Sequence, residues 1–363
     1  LVETLTAYLY DRSNLSRYYP LAMAVSTDMA NPDIYITQIG TPSLMLQDSA
    51  EYAERTQAGE LHYAKRQQLG MYMLTRLGLS EDEAAQVIEN AFAFDALMAQ
   101  HIKPMATHYQ ADYVASILNY YTPEELQALA GDFPILEMIE AYGLKIGTSF
   151  MVTEPDYIAA LPEIYTEENV PLLRDWMALK AAISMATVLD QETYQQTDAI
   201  SNAVMGITGE TSEDDNALQT VLGSLPVPMD NLYIQAYCTE QQRQDMLDII
   251  EDTVAYYRQM LESVDWLSDE TRAKAIEKLD TLKINAVYPD KWIDYSSLNL
   301  TGLSYRQCLD AIAEFNRTLD VSNTNGTVDK DTFELSCLEA NAFYNPLNNS
   351  INILIGILND PFY

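Results

Sequence analysis

Three histidines, His62, His101 and His108, occur in 363 residues, and their spacing limits the metal chemistry open to the chain. An H-E-x-x-H helix sets two imidazoles one turn apart on a metal with the glutamate as base, and the sequence contains no such run. His101 and His108 stand seven apart, which a continuous helix would bring to one face, but Pro104 lies between them and interrupts it. No nearby acid completes a ligand set, so surface or packing roles are expected for the pair. A G-x-S-x-G nucleophile elbow and a G-x-x-x-x-G-K-[ST] phosphate loop are also absent. With 54 aspartates and glutamates, adjacent carboxylates are inevitable, so paired acids do not by themselves indicate glycoside hydrolysis. The run Asn323-x-Asn325-Gly326…Asp329-x-Asp331…Glu334 carries the oxygen donors of a calcium loop at spacings that do not fit an EF-hand. Cys238, Cys308 and Cys337 form neither a C-x-x-C redox motif nor a zinc ribbon and are expected to be small buried hydrophobes.

The elements that must position any site are mostly helical. Ser80-x-x-Glu83, Thr122-x-x-Glu125, Thr239-x-x-Gln242 and Ser304-x-x-Gln307 read as capping boxes, in which the two side chains satisfy backbone donors orphaned at a helix start. Pro123 takes the first helical position of its box, where a missing N–H costs nothing. Behind Ser80, the residues Ala84, Ala85, Val87, Ile88, Ala91, Phe92, Phe94 and Leu97 form an apolar stripe at helical spacing. Behind Thr239, Met246, Ile249, Ile250, Val254, Tyr257, Met260 and Leu261 do the same along a helix reaching about Val264, and another helix runs from Ser268 through Leu279. Ser149–Val152 is a short strand candidate. The clearest strands flank the Asn345-Pro346-Leu347-Asn348-Asn349 turn, predicting a hairpin over about 339–355 that is the longest strand feature of the chain. Residues 206–230, rich in Gly, Ser, Thr, Pro and acid, read as a loop or hinge, and 326–331 as a second loop. Local chemistry alone describes an acidic, mainly helical soluble protein ending in a hairpin.

Charge and length narrow the function classes. The net charge is −34, from 54 acidic and 20 basic residues, and nucleic acid and anionic membrane surfaces both require a basic face instead. Such a charge serves solubility, or an acidic cavity that prefers cationic peptides. The length exceeds what one core usually supports, so one large or two smaller domains are expected. No window approaches the roughly 18 apolar residues that a membrane span needs. Leu1-Val2-Glu3-Thr4 has no initiator Met and no basic n-region, so any targeting segment is expected to lie outside this sequence, which reads as an excised piece.

Several stretches together resemble the neprilysin (endothelin-converting enzyme) family of zinc metalloendopeptidases. The most specific is Asn341-Ala342-Phe343-Tyr344-Asn345-Pro346, followed by Asn349, Ile351, Gly356-Ile357-Leu358 and Pro361-Phe362-Tyr363. Trp266-Leu267-Ser268-Asp269-Glu270-Thr271-Arg272-Ala273-Lys274-Ala275 with Lys278-Leu279, and Tyr288-Pro289-Asp290-Lys291-Trp292-Ile293-Asp294-Tyr295, are similar in type, order and spacing. Asp28…Asn31-Pro32…Tyr35 and Leu77-Gly78-Leu79-Ser80 are fainter echoes. Two departures stand out: Val287 where the family usually has Gly, and Leu354-Ile355 where it has Pro-Ala.

The resemblance implies a mainly α fold: a multi-helical covering domain over residues 1–330, with 206–230 as its hinge or loop, and a β-hairpin segment over 331–363 belonging to the zincin-like catalytic domain. It implies that the intact protein hydrolyses oligopeptides with zinc, whose motif would follow Tyr363, so no zinc is expected on this chain and it is expected to be inactive alone. The partners implied are oligopeptide substrates and the missing C-terminal catalytic segment, with no nucleic acid and no membrane segment here. Family habit points to an extracellular or cell-surface setting, although cytoplasmic relatives exist. Residue by residue, Asn341 and Ala342 are the positions that hold substrate backbone. An extended peptide can add to a strand edge through main-chain hydrogen bonds, and an Asn amide offers it both a donor and an acceptor. The plainer alternative has Asn341 satisfying the adjacent turn and Ala342 in the core. Phe343, Tyr344, Trp266 and Trp292 read as structural. A competing reading of the whole chain is a non-catalytic peptide-binding helical module or degenerate relative.

Overall fold

The computed structural model describes residues 20–208, 212–331, 333 and 335–358. The opening tetrapeptide, Glu334 of the calcium-like run and the Pro361-Phe362-Tyr363 match lie outside the described residues. In chain order the elements are strands β1 (Ala22–Thr27) and β2 (Tyr35–Gly40), helices α1 (Gln57–Arg76), α2 (Glu81–Ala99) and α3 (Tyr113–Ile117), and strand β3 (Asn119–Tyr121). Helices α4 (Pro123–Ala130) and α5 (Ile135–Tyr142) and strand β4 (Phe150–Val152) follow. Then come α6 (Pro155–Ile164), α7 (Val170–Met185), α8 (Gln191–Met205), α9 (Glu213–Ser224), α10 (Pro226–Tyr237), α11 (Glu240–Ser263) and α12 (Asp269–Asp280). Strand β5 (Lys283–Val287), helix α13 (Tyr305–Asn323) and strands β6 (Ala342–Asn345) and β7 (Ser350–Leu354) complete the order. With thirteen α-helices among the described residues, the fold is mainly α, as the helical patterning requires.

All four capping boxes form. Ser80 Oγ accepts the Glu83 N–H at 3.3 Å while the Glu83 carboxylate accepts the Ser80 N–H at 2.8 Å, and the Thr122, Thr239 and Ser304 boxes are built alike. Helix α11 stops at Ser263 with Val264 as its C-cap. The expected loop at 206–230 is mostly helix instead. Gly206, at φ 70, ends α8 in the left-handed conformation, Ser212 then caps α9, and Pro226 opens α10 at a position that needs no N–H. Turn-forming residue types there serve helix ends rather than an extended loop.

Two compact units divide the chain. The first holds residues 20–28, 34–208 and 302–326. Its sheet has the order β1-β2-β4-β3, with β2 and β4 parallel and the outer pairs antiparallel. Of these strands only β4 was legible in the sequence, and β1 and β2, six residues each, exceed the hairpin strands in length. The core is a continuous cluster around α2 and α7: Ala84, Ile88, Ala91 and Phe94 from the predicted stripe, joined by Trp176, Leu179 and Tyr157. Buried among them, the Asp95 carboxylate accepts from Trp176 Nε1 at 2.6 Å, the Met45 N–H at 2.7 Å and the Tyr52 hydroxyl. Burial pushes Asp95 above the usual carboxylate range against these three donors.

The second unit holds residues 29–33, 212–301 and 327–358 among those described. Its sheet has the order β5-β7-β6, β5 parallel to β7 and β6 antiparallel to it. The hairpin therefore has a third strand that begins at Lys283, well before residue 331. Its core is small: Ile250, Ala286, Val287, Cys337, Leu354, Ile355 and Leu358. The predicted stripe of α11 is only partly covered. Ile250 is buried, yet Ile249 is 53% exposed and Tyr257 50%, because a broad stripe faces a core too small to take all of it. Trp266, read above as structural, is 76% exposed in the turn between α11 and α12 and packs into no core.

Candidate functional site

Strand β6 lies at the outer edge of its sheet, and its position is fixed from both ends. On the upstream side, buried Asp230 of α10 accepts from Ser336 Oγ at 2.5 Å and from the Cys337 N–H at 2.9 Å. The Gly356 N–H then donates to the Cys337 carbonyl at 3.0 Å. A Cβ at Gly356 would meet the carbonyl oxygens of Leu338 and Glu339 at 2.3 Å, so only glycine permits this approach. On the turn side, Asn345 Oδ1 accepts from the Leu347 N–H at 2.8 Å, and Tyr344 Oη donates to Asn349 Oδ1 at 3.0 Å. Asn349, left-handed at φ 48, ties the turn to α12 by donating to the Lys278 carbonyl at 2.8 Å. Beneath the strands, Asn285 Nδ2 donates to Asn352 Oδ1 at 2.7 Å, and Asn352 Nδ2 to Ser350 Oγ at 2.9 Å.

The register decides which backbone groups face outward. Alternate residues of an antiparallel strand point their N–H and C=O to the partner. The Leu354 N–H donates to the Asn341 carbonyl at 3.3 Å, so Asn341 and Phe343 face β7. Ala342 and Tyr344 then present their backbone groups to the edge that no other strand pairs among the described residues. Asn341 and Ala342 are both exposed, which removes the core alternative for Ala342. Asn341 Oδ1 accepts the N–H of its own neighbour Ala342 at 2.8 Å, a local bond of the kind the turn-satisfying alternative describes. That bond occupies the Ala342 N–H, while the Ala342 carbonyl faces away from β7.

Val287, the departure from glycine noted above, is buried at the end of β5 with φ 71. A positive φ disfavours a β-branched side chain, which is the physical reason a glycine suits this position. Sequence patterning missed Asp230, Asn285 and Asn352, because nothing marks one buried polar side chain among so many exposed ones.

The histidines do not converge. Helix α2 ends at Ala99, Pro104 starts a separate turn, and exposed His108 stacks on Tyr113 at 4.5 Å between ring centroids. Among the described residues no group of three His, Cys, Asp or Glu side chains can hold a metal ion, so the residues present do not fit a zinc site. Cys337 is buried, whereas Cys238 and Cys308 are only partly buried, short of the burial expected for all three. Burial, with Asp230 nearby, pushes the Cys337 thiol well above its ordinary range. No helix among the described residues is long and apolar enough to cross a membrane.

Residues 2–289 match the family described as Peptidase family M13. A neutral endopeptidase of Lactobacillus helveticus is 26% identical over 348 residues, covering 95% of this chain and 53% of the relative. Mouse (Mus musculus) neprilysin is 25% identical over 221 residues, covering 59% of this chain and 30% of the relative. The zinc metalloprotease Zmp1 of Mycobacterium tuberculosis, in its open state, superposes with a TM-score of 0.84 at 20% identity, covering 100% of this chain and 58% of that one. The chain thus spans about half the length of the Lactobacillus relative.

Proposed function

The chain belongs to peptidase family M13, and from that premise we propose that it is the substrate-enclosing part of a zinc metalloendopeptidase acting on oligopeptides. The observation that carries this reading is the edge of β6, unpaired among the described residues, with exposed Asn341 and Ala342 at its start and the outward carbonyl of Ala342 and backbone groups of Tyr344 along it. A substrate strand pairing there would be held through its main chain and leave its side chains free, which suits cleavage tolerant of sequence. The helices before residue 331 would bound the chamber, and residues 331–363, together with β5, would belong to the catalytic domain. Residues outside this sequence would supply the metal and the base. The relatives' names support zinc, and the extracellular or cell-surface setting rests on the resemblance alone.

The test is to read the coding sequence beyond Tyr363 and assay its full product on a fluorogenic oligopeptide. An H-E-x-x-H within a few dozen codons, with chelator-sensitive cleavage, is the expected result. A stop codon at that point, with no hydrolysis, would leave a non-catalytic peptide-binding module and overturn the proposal.

A further inference from the structure

A second site lies wholly within the first unit, where β2 and β4 run parallel. Beyond their carboxyl ends the chain opens a cavity of about 600 Å³, walled by Gly40 and Thr41 at the end of one strand and by Thr153 and Glu154 after the other. Crevices at the carboxyl ends of parallel strands are where sheets of this kind bind small ligands, because the strands end together and the chain diverges into helices and loops.

Two polar side chains lining this cavity are 9% exposed or less and have unsatisfied atoms. Glu154 Oε2 and Ser49 Oγ have no hydrogen-bond partner among the described residues. Lys103 is ion-paired with Glu154 at 3.9 Å between Nζ and Oε2, too long for a hydrogen bond, and its backbone N–H donates to the carboxylate, so it is Oε2 alone that has no hydrogen-bond donor. Burial holds the Glu154 carboxyl above its usual range, with Lys103 opposing the shift. An unpartnered buried carboxylate oxygen is costly and calls for a charged donor. Arg66 also lines the cavity, donates to the Met45 carbonyl at 3.5 Å and forms no ion pair among the described residues. One wall thus has room for an ammonium group and another offers a guanidinium.

We propose that this cavity binds a small zwitterion, a free amino acid or dipeptide, with its ammonium group on Glu154 and Ser49 and its carboxylate on Arg66. The inference does not rest on the peptidase reading, since the residues it uses all lie in the first unit and binding needs no turnover.

Calorimetric titration of the whole chain with alanyl-leucine tests it, alongside N-acetyl-alanyl-leucine and alanyl-leucine amide. Saturable one-to-one binding in the micromolar to millimolar range is expected, weakened about tenfold or more by acetylation and several-fold by amidation. Glu154→Gln should cause a loss similar to acetylation, and Arg66→Ala a loss similar to amidation, with circular dichroism unchanged. Absence of saturable binding by alanyl-leucine overturns the proposal, and so does binding indifferent to acetylation. Should Glu154→Gln fail to fold, the acetylated ligand on the unsubstituted protein and the Arg66→Ala variant decide the matter.

Discussion

Asn341 sits at the start of an edge strand with its carbonyl committed to Leu354 and its Oδ1 to Ala342. On the proposed peptidase reading, Asn341→Ala in the full-length protein should lower kcat/KM by the worth of one or two hydrogen bonds, about 1–3 kcal/mol or roughly five- to a hundred-fold. The loss should be similar for peptides of different sequence, because the bonds are to backbone, and Tm should change little at an exposed position. A variant with a lowered Tm and unchanged kinetics would remove Asn341 from the site and leave it the role of satisfying its turn. Val287 offers a second test. Its left-handed φ of 71 costs roughly 1–2 kcal/mol, while burying its side chain contributes roughly 1.5–3 kcal/mol. The two nearly offset, so Val287→Gly should change unfolding free energy by less than about 2 kcal/mol in denaturant titration. A loss near the 2–5 kcal/mol of an ordinary large-to-small core substitution would mean that the backbone there carries no strain. For Asp95, removal relieves the cost of burying a carboxylate but leaves its donors without a partner. Asp95→Ala strands three donors, from Met45, Tyr52 and Trp176, and should cost on the order of 3 kcal/mol or more.

At the scale of elements, the start of α8 couples a cap to an ion pair. Asp190 Oδ1 accepts the Thr193 N–H at 2.7 Å, and its Oδ2 meets Arg76, near the end of α1, at 2.8 Å. These partners, Arg76 foremost, lower the Asp190 pKa to about 2, against roughly 3.9 in an unfolded chain. A folded-state pKa below the unfolded one means that the charged form is favoured by folding. Its contribution is therefore fully present above about pH 4 and lost as the pH falls towards 2. Asparagine caps a helix as well as aspartate but carries no charge. Asp190→Asn should thus lower Tm near neutral pH, and the difference from the unsubstituted protein should close on acidification. A Tm gap that stays constant down to the acid limit would show that the ion pair contributes nothing.

Across the whole molecule, the two units differ in how much apolar surface they bury. The first has a continuous core around α2 and α7, while α11 in the second keeps Ile249, Tyr256 and Tyr257 half-exposed or more. Local opening is cheapest where few buried contacts must break. Amides in the middle of α2 and α7 should therefore exchange with deuterium far more slowly than those of α11, despite the greater length of α11. Equal protection in the three helices would mean that both units open only by global unfolding.

Sequence alone determined the features whose partners are close in the chain. Capping boxes close over three residues and a hairpin over one turn, so their residue types carry the whole interaction; four helix starts, α12 and the β6–β7 pair were legible for that reason. The neprilysin-like stretches were legible as well, and they fixed the family and the candidacy of Asn341 and Ala342. Tertiary structure decided everything joined across long separations. Asp95 meets a backbone amide 50 residues away, and Asp230 meets one 107 away, with no local pattern to announce either. The four-stranded sheet, the pairing of β5 with β7 and the cavity beyond β2 and β4 belong to the same class. Strands this short carry too few alternating residues to be read alone, and only the pairing of distant segments makes them strands.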